Sequence, residues 1–362
     1  MTSHTRSLTR SMRALMLVAV AGVLLAGCAT NEADQRESDL SGTLDGAGSS
    51  AQAAAQEVWV ANFQRDNASV TVNYDPSGSG AGREQFIGGG VSFAGSDAAL
   101  SDEELASEFS RCAPGSVGID FPVYVSPLVL IFTIDGVDEL RLDAATIAGI
   151  FSNSITRWND PALAALNPDT ALPDAVITAV HRSDDSGTTK NFTDYLNENV
   201  PEVWGNEPAD TFPFDGEAAQ GNAGVVNAVA GGVNAIGYVD SSRAEGMDVA
   251  ELKVGDAFVA YSPEAAAAII DASPLVARDN PNDIVVDVDR KSAAAGVYPL
   301  VLVSYIIACQ DYEDDAEAEL VREFIGSIVS DEGQQAAAAD AGSAPLSDTF
   351  APRVREAAET IQ

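Results

Sequence analysis

Apolar residues along this chain follow two alternating periods. Short runs rich in Val and Ile at 70–74, 123–134, 175–181, 235–238, 284–288 and 300–308 predict strands. Between them, apolar positions recur at three- and four-residue spacing. That predicts helices over 51–63, 103–110, 143–151, 161–166, 188–199, 221–230, 263–271 and 316–330. Strand and helix patterns in alternation indicate α/β architecture, with helices flanking mixed sheets. The body beyond residue 40 is longer than one hydrophobic core usually fills, so two lobes are expected.

The N-terminal pattern is different. Arg6, Arg10 and Arg13 precede an apolar run at 14–26 that is short for a membrane span, and it ends Leu25-Ala26-Gly27-Cys28. Small residues before a lone Cys resemble the bacterial lipobox. The resemblance implies a lipoprotein signal peptide over 1–27, with Cys28 as the lipidated first residue of the mature chain. Polar, acidic residues 28–39 then read as a flexible tether. The expected location is the outer face of the cell membrane, with the body anchored through lipid. In that compartment the two other cysteines, Cys112 and Cys309, are expected to form a disulfide. Neither has a CxxC or His neighbour, so no metal is expected.

Charge narrows the partners. Against 55 acidic residues stand 19 Lys and Arg, a net charge of −36, and losing 1–27 removes three of the arginines. Such a surface repels nucleic acid and anionic lipid. It does not exclude a small buried anion, because distant surface charge is screened over about 8–10 Å.

The strongest chemical signal is Arg182-Ser183-Asp184-Asp185-Ser186-Gly187-Thr188-Thr189, followed by the helical stripe Phe192, Tyr195, Leu196 and Val200. A guanidinium, a carboxylate able to hold it, and a Ser-Gly-Thr helix start suit an oxyanion, since the first amides of a helix are unpaired and carry the positive end of its dipole. Three further small-residue turns stand at 46–51, 77–82 and 93–97. Each alone is an ordinary loop. The first even matches GxGxxA, with Asp66 twenty residues on, but too little chain precedes it for a dinucleotide fold.

Taken in order, these segments resemble the PstS family, the phosphate-binding proteins of bacterial phosphate-specific ABC transporters. The resemblance rests on Val72-Asn73-Tyr74 with Gly78-Ser79-Gly80, Phe93-Ala94-Gly95-Ser96-Asp97-Ala98, Ile150-Phe151, Trp158-Asn159-Asp160-Pro161, the Arg182 segment, Gly221-Asn222 and Ala235-Ile236-Gly237-Tyr238-Val239. It implies a two-lobed periplasmic-binding-protein-like fold with hinge strands and a ligand cleft. It also implies phosphate contacts at Ser50, the Ala51 amide, Ser79, Asp97, Arg182, Ser186, Gly187 and Thr188, with Asp184 orienting Arg182. Ala51 departs from the family, which usually has an aromatic there. The lobes are expected at 40–122 with 297–362, and at 123–296. The implied partners are inorganic phosphate and a membrane permease, with no cofactor and a monomeric chain.

Asp97 discriminates between ligands. A carboxylate facing an anion accepts a hydrogen bond from protonated phosphate, whereas sulfate at neutral pH has no proton to give. Binding of a sulfate-like oxyanion is therefore one alternative, and an envelope phosphatase is another. The residue inventory opposes an enzyme. Beyond residue 28 the only His is His181, at a strand end, and HExxH and GxSxG are absent.

Overall fold

The computed structural model describes residues 38–362. The signal segment 1–27, Cys28 and the tether through residue 37 lie outside the described residues. The chain begins with β1 (Gly42–Gly48), α1 (Ala53–Asp66), β2 (Val70–Asp75), α2 (Ser79–Ile87), β3 (Phe93–Ser96) and the short α3 (Asp102–Leu105). The long β4 (Gly118–Thr133) is followed by β5 (Arg141–Leu142), α4 (Ala144–Phe151), α5 (Pro161–Leu166), β6 (Thr178–Arg182), α6 (Gly187–Asn199) and α7 (Pro201–Trp204). Then come β7 (Glu217–Ala219), α8 (Gly221–Gly231), β8 (Ala235–Asp240), β9 (Asp248–Val249), β10 (Glu251–Val254), β11 (Ala257–Val259) and α9 (Pro263–Ala272). Strand β12 (Val301–Cys309) precedes α10 (Asp315–Ile328), α11 (Asp331–Ala341) and α12 (Ala351–Ala358).

The main sheet runs β2-β1-β3-β12-β4-β8-β6-β7. One strand joins its two parts. Residues 118–127 of β4 pair antiparallel with β12, and residues 128–133 pair antiparallel with β8. On one side β1 runs parallel to β2 and β3; on the other β6 runs parallel to β7 and β8. All but the last residue of β4 is buried, which is why its sequence is an unbroken apolar run with little alternation. The β4–β12 register shifts between Ser304 and Tyr305, opposite Pro122. Proline has no N–H for the ladder, and a bulge accommodates it.

Helix starts follow the local chemistry. Asp143 caps α4, Asp160 caps α5, Ser186 caps α6, Ser262 caps α9 and Asp314 caps α10, each side chain accepting an amide of the first turn. Two expectations fail. Residues 284–288 form no ladder strand: the Ile284 amide goes to the Asp120 carbonyl and the Val286 amide to the Tyr305 hydroxyl. The segment also bonds to 274–276, where the Val276 amide donates to the Val285 carbonyl and the Asp287 amide to the Pro274 carbonyl, both at 2.9 Å, around an isolated Leu275–Val286 bridge. The helix expected over 103–110 stops at Leu105, and Phe109 instead turns inward against Phe86, with ring centroids 5.7 Å apart.

The disulfide forms as expected. Cys112, before β4, bonds Cys309 at the end of β12, 197 residues away in sequence. Closing so long a loop removes denatured-state entropy, and such bonds contribute about 2–5 kcal/mol. Replacing Cys112 and Cys309 together by Ser is expected to lower the unfolding free energy by that amount in urea titrations. An unchanged midpoint would mean that the thiols do not pair.

Candidate functional site

Three helix N-termini converge where the two parts of the sheet meet. They belong to α2, α6 and α8, and the turn after β1 lies among them. The convergence is visible in contacts. The Gly80 amide donates to the Asp185 carbonyl at 3.0 Å, and the Asn222 amide and side chain both donate to Ser50 Oγ at 3.1 Å. A Cβ on Gly187 would stand 2.7 Å from Asp97 Cβ and 2.8 Å from Ser79 Oγ. The helix starts are thus in direct contact, and only a residue without a side chain fits at position 187.

Arg182 ends β6 with its side chain 1 % exposed. Nε donates to Asp184 Oδ1 at 2.8 Å, and Nη2 donates to Asp184 Oδ2. The planar fork is therefore fixed by a bidentate partner. Asp184 also accepts the Gly221 amide at 3.1 Å, tying the fork to the start of α8. Burial works against the Asp184 carboxylate, but Arg182 outweighs it and holds its pKa below the usual range. Nη1 of Arg182 is different: it is buried with no hydrogen-bond partner. A buried guanidinium N–H without an acceptor is costly, and an anion among these helix starts would satisfy it.

Asp97, just past β3, is 3 % exposed. Ser49 Oγ and Ser304 Oγ donate to its Oδ1, the latter at 2.6 Å, and Thr188 Oγ1 donates to Oδ2 at 2.9 Å. Burial raises its pKa, opposed by those three hydroxyls and by the Arg182 charge. An ionised carboxylate accepts about four hydrogen bonds. Three are supplied here, leaving one acceptor position.

The other expected residues are gathered at the same place. Ser50 and Ser79 each accept amide hydrogens, Ser79 from Asp97 N at 3.1 Å, so both hydroxyl hydrogens are left to donate. Ser186 accepts Thr189 N at 3.2 Å as the α6 cap. The Gly187 and Thr188 amides are the first two of α6, with no carbonyl one turn back. Ala51 differs from the expectation of a ligand-facing donor. Its amide points to Ser49 Oγ at 3.1 Å, because that hydroxyl folds back over the turn and also takes the Gln52 amide.

Sequence reasoning missed Ser49, Ser304 and the structural use of Asn222. Ser49 adjoins the Ser50 that the motif selected. Ser304 sits within a buried strand, where nothing in the sequence marks it. Beneath the site, Tyr238 stacks on Phe192 with centroids 4.2 Å apart, and its hydroxyl meets Thr189 Oγ1 at 2.7 Å. Trp158, Trp204 and Tyr238 are buried packing residues, as their apolar neighbourhoods predict. His181 stacks on Phe212, and its Nδ1 lies 2.9 Å from the Arg182 carbonyl. A cavity of about 470 Å³ opens beside Asp97, lined by Leu100, Lys190, Arg278, Arg290 and Tyr305. Its arginines already face carboxylates, Arg290 bonding Asp194 and Arg278 standing within 4 Å of Asp120 and Asp283. The donor set around Arg182 is therefore the better anion site.

Two outcomes follow from this geometry. Gly187→Ala is expected to weaken oxyanion binding by about tenfold or more, ~1.4 kcal/mol, in titration calorimetry, because its methyl meets Asp97 when the helix starts approach. Asp240, whose amide donates to Asn222 Oδ1 at 2.9 Å, is raised from 3.8 to about 6 by burial. Between those values the folded chain binds more protons than the unfolded one, so stability falls as pH rises through that window. Urea melts are expected to show a decline of up to about 3 kcal/mol from this group, and Asp240→Asn is expected to abolish it.

Comparison with known proteins identifies the family of the chain. Residues 33–332 match the model of the PBP superfamily domain. The chain is 35 % identical over 359 residues to phosphate-binding protein PstS 3 of Mycobacterium leprae, covering 94 % of this chain and 96 % of that one. It is 32 % identical over 369 residues to phosphate-binding protein PstS 2 of Mycobacterium tuberculosis, covering 97 % and 99 %. Among solved structures, a high-affinity periplasmic phosphate-binding protein (PfluDING) bound with phosphate superposes with a TM-score of 0.71. It is 26 % identical, and the match covers 87 % of this chain and 93 % of that one. The mixed α/β body has the periplasmic-binding-protein-like fold, and the chain belongs to the PstS family of phosphate-binding proteins.

Proposed function

We propose that this chain is an extracytoplasmic substrate-binding lipoprotein that captures inorganic phosphate between two lobes and delivers it to an ABC permease. The observation that carries the reading is the buried, unpartnered Nη1 of Arg182 among three helix N-termini. The names of the mycobacterial relatives support the same ligand. Ser50, Ser79, Arg182, Ser186, Gly187 and Thr188 donate to the phosphate oxygens, with Asp184 holding Arg182 and Ser49 bracing Asp97. The open acceptor position on Asp97 takes the proton that phosphate carries. Sulfate would leave that position facing a bare oxyanion, a mismatch of the kind that discriminates by ~10⁴ or more.

Residues 40–122 with 297–362 form the first lobe and 123–296 the second, with β4 and β12 as hinge strands. Segment 276–286 rides on the first lobe, which its bonds to Asp120 and Tyr305 support. The body is monomeric and lipidated at Cys28. A phosphatase reading has less behind it, because His181 is turned to a backbone carbonyl and an aromatic ring.

Titration calorimetry of the body from residue 38 is expected to give saturable binding of phosphate and arsenate and none of sulfate at the same concentrations. Asp97→Asn is expected to improve sulfate binding relative to phosphate by about tenfold or more. Equal binding of sulfate and phosphate by the unaltered chain would remove the proton-acceptor role. Absence of phosphate binding would remove the function.

A further inference from the structure

Outside the donor shell, an ion pair, buried at Arg83 and half-buried at Asp210, ties the start of α2 to the start of α6. Arg83 lies one turn beyond Ser79 on α2 and is 5 % exposed. Its three nitrogens go three ways. Nε donates to Glu104 Oε1 at 2.7 Å, Nη1 to Ser96 Oγ at 3.0 Å, and Nη2 to Asp210 Oδ2 at 2.9 Å. Ser96 adjoins Asp97, Glu104 lies in α3 just beyond it, and both belong to the same part of the fold as Arg83. Asp210 belongs to the other. Its carbonyl accepts the Ser186 amide at 3.0 Å, and the neighbouring Ala209 amide is held by Thr193 Oγ1 at 3.1 Å. Asp210 is thereby pinned to the first two turns of α6, while its carboxylate reaches across to α2. Its Oδ1 is buried with no hydrogen-bond partner, so the carboxylate depends on Arg83.

We infer that Arg83 and Asp210 form a closure latch: positioning residues that touch no ligand but set how long the two lobes stay shut over it. The inference rests on the phosphate reading and on the two-lobe division proposed above. Its physical basis is an asymmetry. When the lobes part, water solvates both charges, and ligand encounter depends little on the pair. When they close, the pair loses most of its water and Asp210 relies on Arg83, which also keeps Glu104 and Ser96. Removing one partner of a buried, hydrogen-bonded charge pair acts mainly on the rate of dissociation. The ligand's own donors, Arg182 and the helix amides, are left in place.

The test is stopped-flow fluorescence with phosphate on the unaltered body and on Asp210→Asn. Asn is nearly isosteric; it removes the charge and turns one acceptor oxygen into an NH2 donor. The expected result is a dissociation rate raised about tenfold or more, with the association rate within about threefold. The melting temperature of the ligand-free protein is expected to hold, while its rise on adding phosphate shrinks. Asp210→Glu, which restores the charge, is expected to recover part of the slow dissociation. An unchanged dissociation rate overturns the latch. So does a loss of ligand-free melting temperature with no change in the rate ratio, which marks a purely structural pair. If the unaltered protein gives no phosphate signal, the phosphate reading fails. In that case the latch, which acts on the phosphate-closed state, falls with it, whereas a phosphate signal with an unchanged dissociation rate overturns the latch alone.

Discussion

One buried carboxylate holds the centre of this molecule together. Asp97 has no bidentate cation of its own; it is stabilised by hydroxyls from Ser49, Ser304 and Thr188. Those residues stand after β1, in β12 and in the first turn of α6. A carboxylate taken out of water is tolerated only while its hydrogen bonds are made. The positions of three distant segments are therefore set by one side chain, and the same side chain leaves one acceptor position for a guest.

The acidic composition and the anion site are reconciled by distance. The net charge of −36 is spread over the whole chain. Inside the site the field is set by Arg182, by the helix N-termini and by hydroxyl hydrogens a few ångströms away. Asp184 neutralises part of Arg182, so the guanidinium is held rigid with one N–H left to offer. Glycine at 187 permits this density of donors, because a single methyl there would meet Asp97.

The scaffold gives those contacts a mechanical setting. Strands β4 and β12 run beside each other through the middle of the sheet, and the Cys112–Cys309 bond fastens one end of that pair. The bulge opposite Pro122 falls at Ser304, the residue in β12 that reaches Asp97. A strand pair that is tied at one end and irregular at its centre is a natural place for bending, while the helices on either side carry the donors.

Much of this was legible in the residues. Strand and helix periods located most of the long elements, and the starts expected at 143, 161 and 188 fall within a residue or two of α4, α5 and α6. The Arg182–Asp184 pairing followed from a local motif, because residues two apart at a strand end are neighbours whatever the fold. The segment at 77–82 read as a turn, since it is all Ser, Gly and Ala, yet from Ser79 it is the first part of α2, held by its packing on β1 and β3. The run at 284–288 read as a strand and is not one, because its backbone pairing stops at an isolated bridge to Leu275 and single contacts to Asp120 and Tyr305. Ser49, Ser304 and the Arg83–Asp210 pair were beyond reach for a common reason. Local propensity and charge are properties of a stretch of chain, and the sequence alone determined those. Which hydroxyl meets Asp97, or which acid meets Arg83, depends on segments 48 to 207 residues apart. Only tertiary packing brings such segments within hydrogen-bonding range, so only the folded structure could decide them.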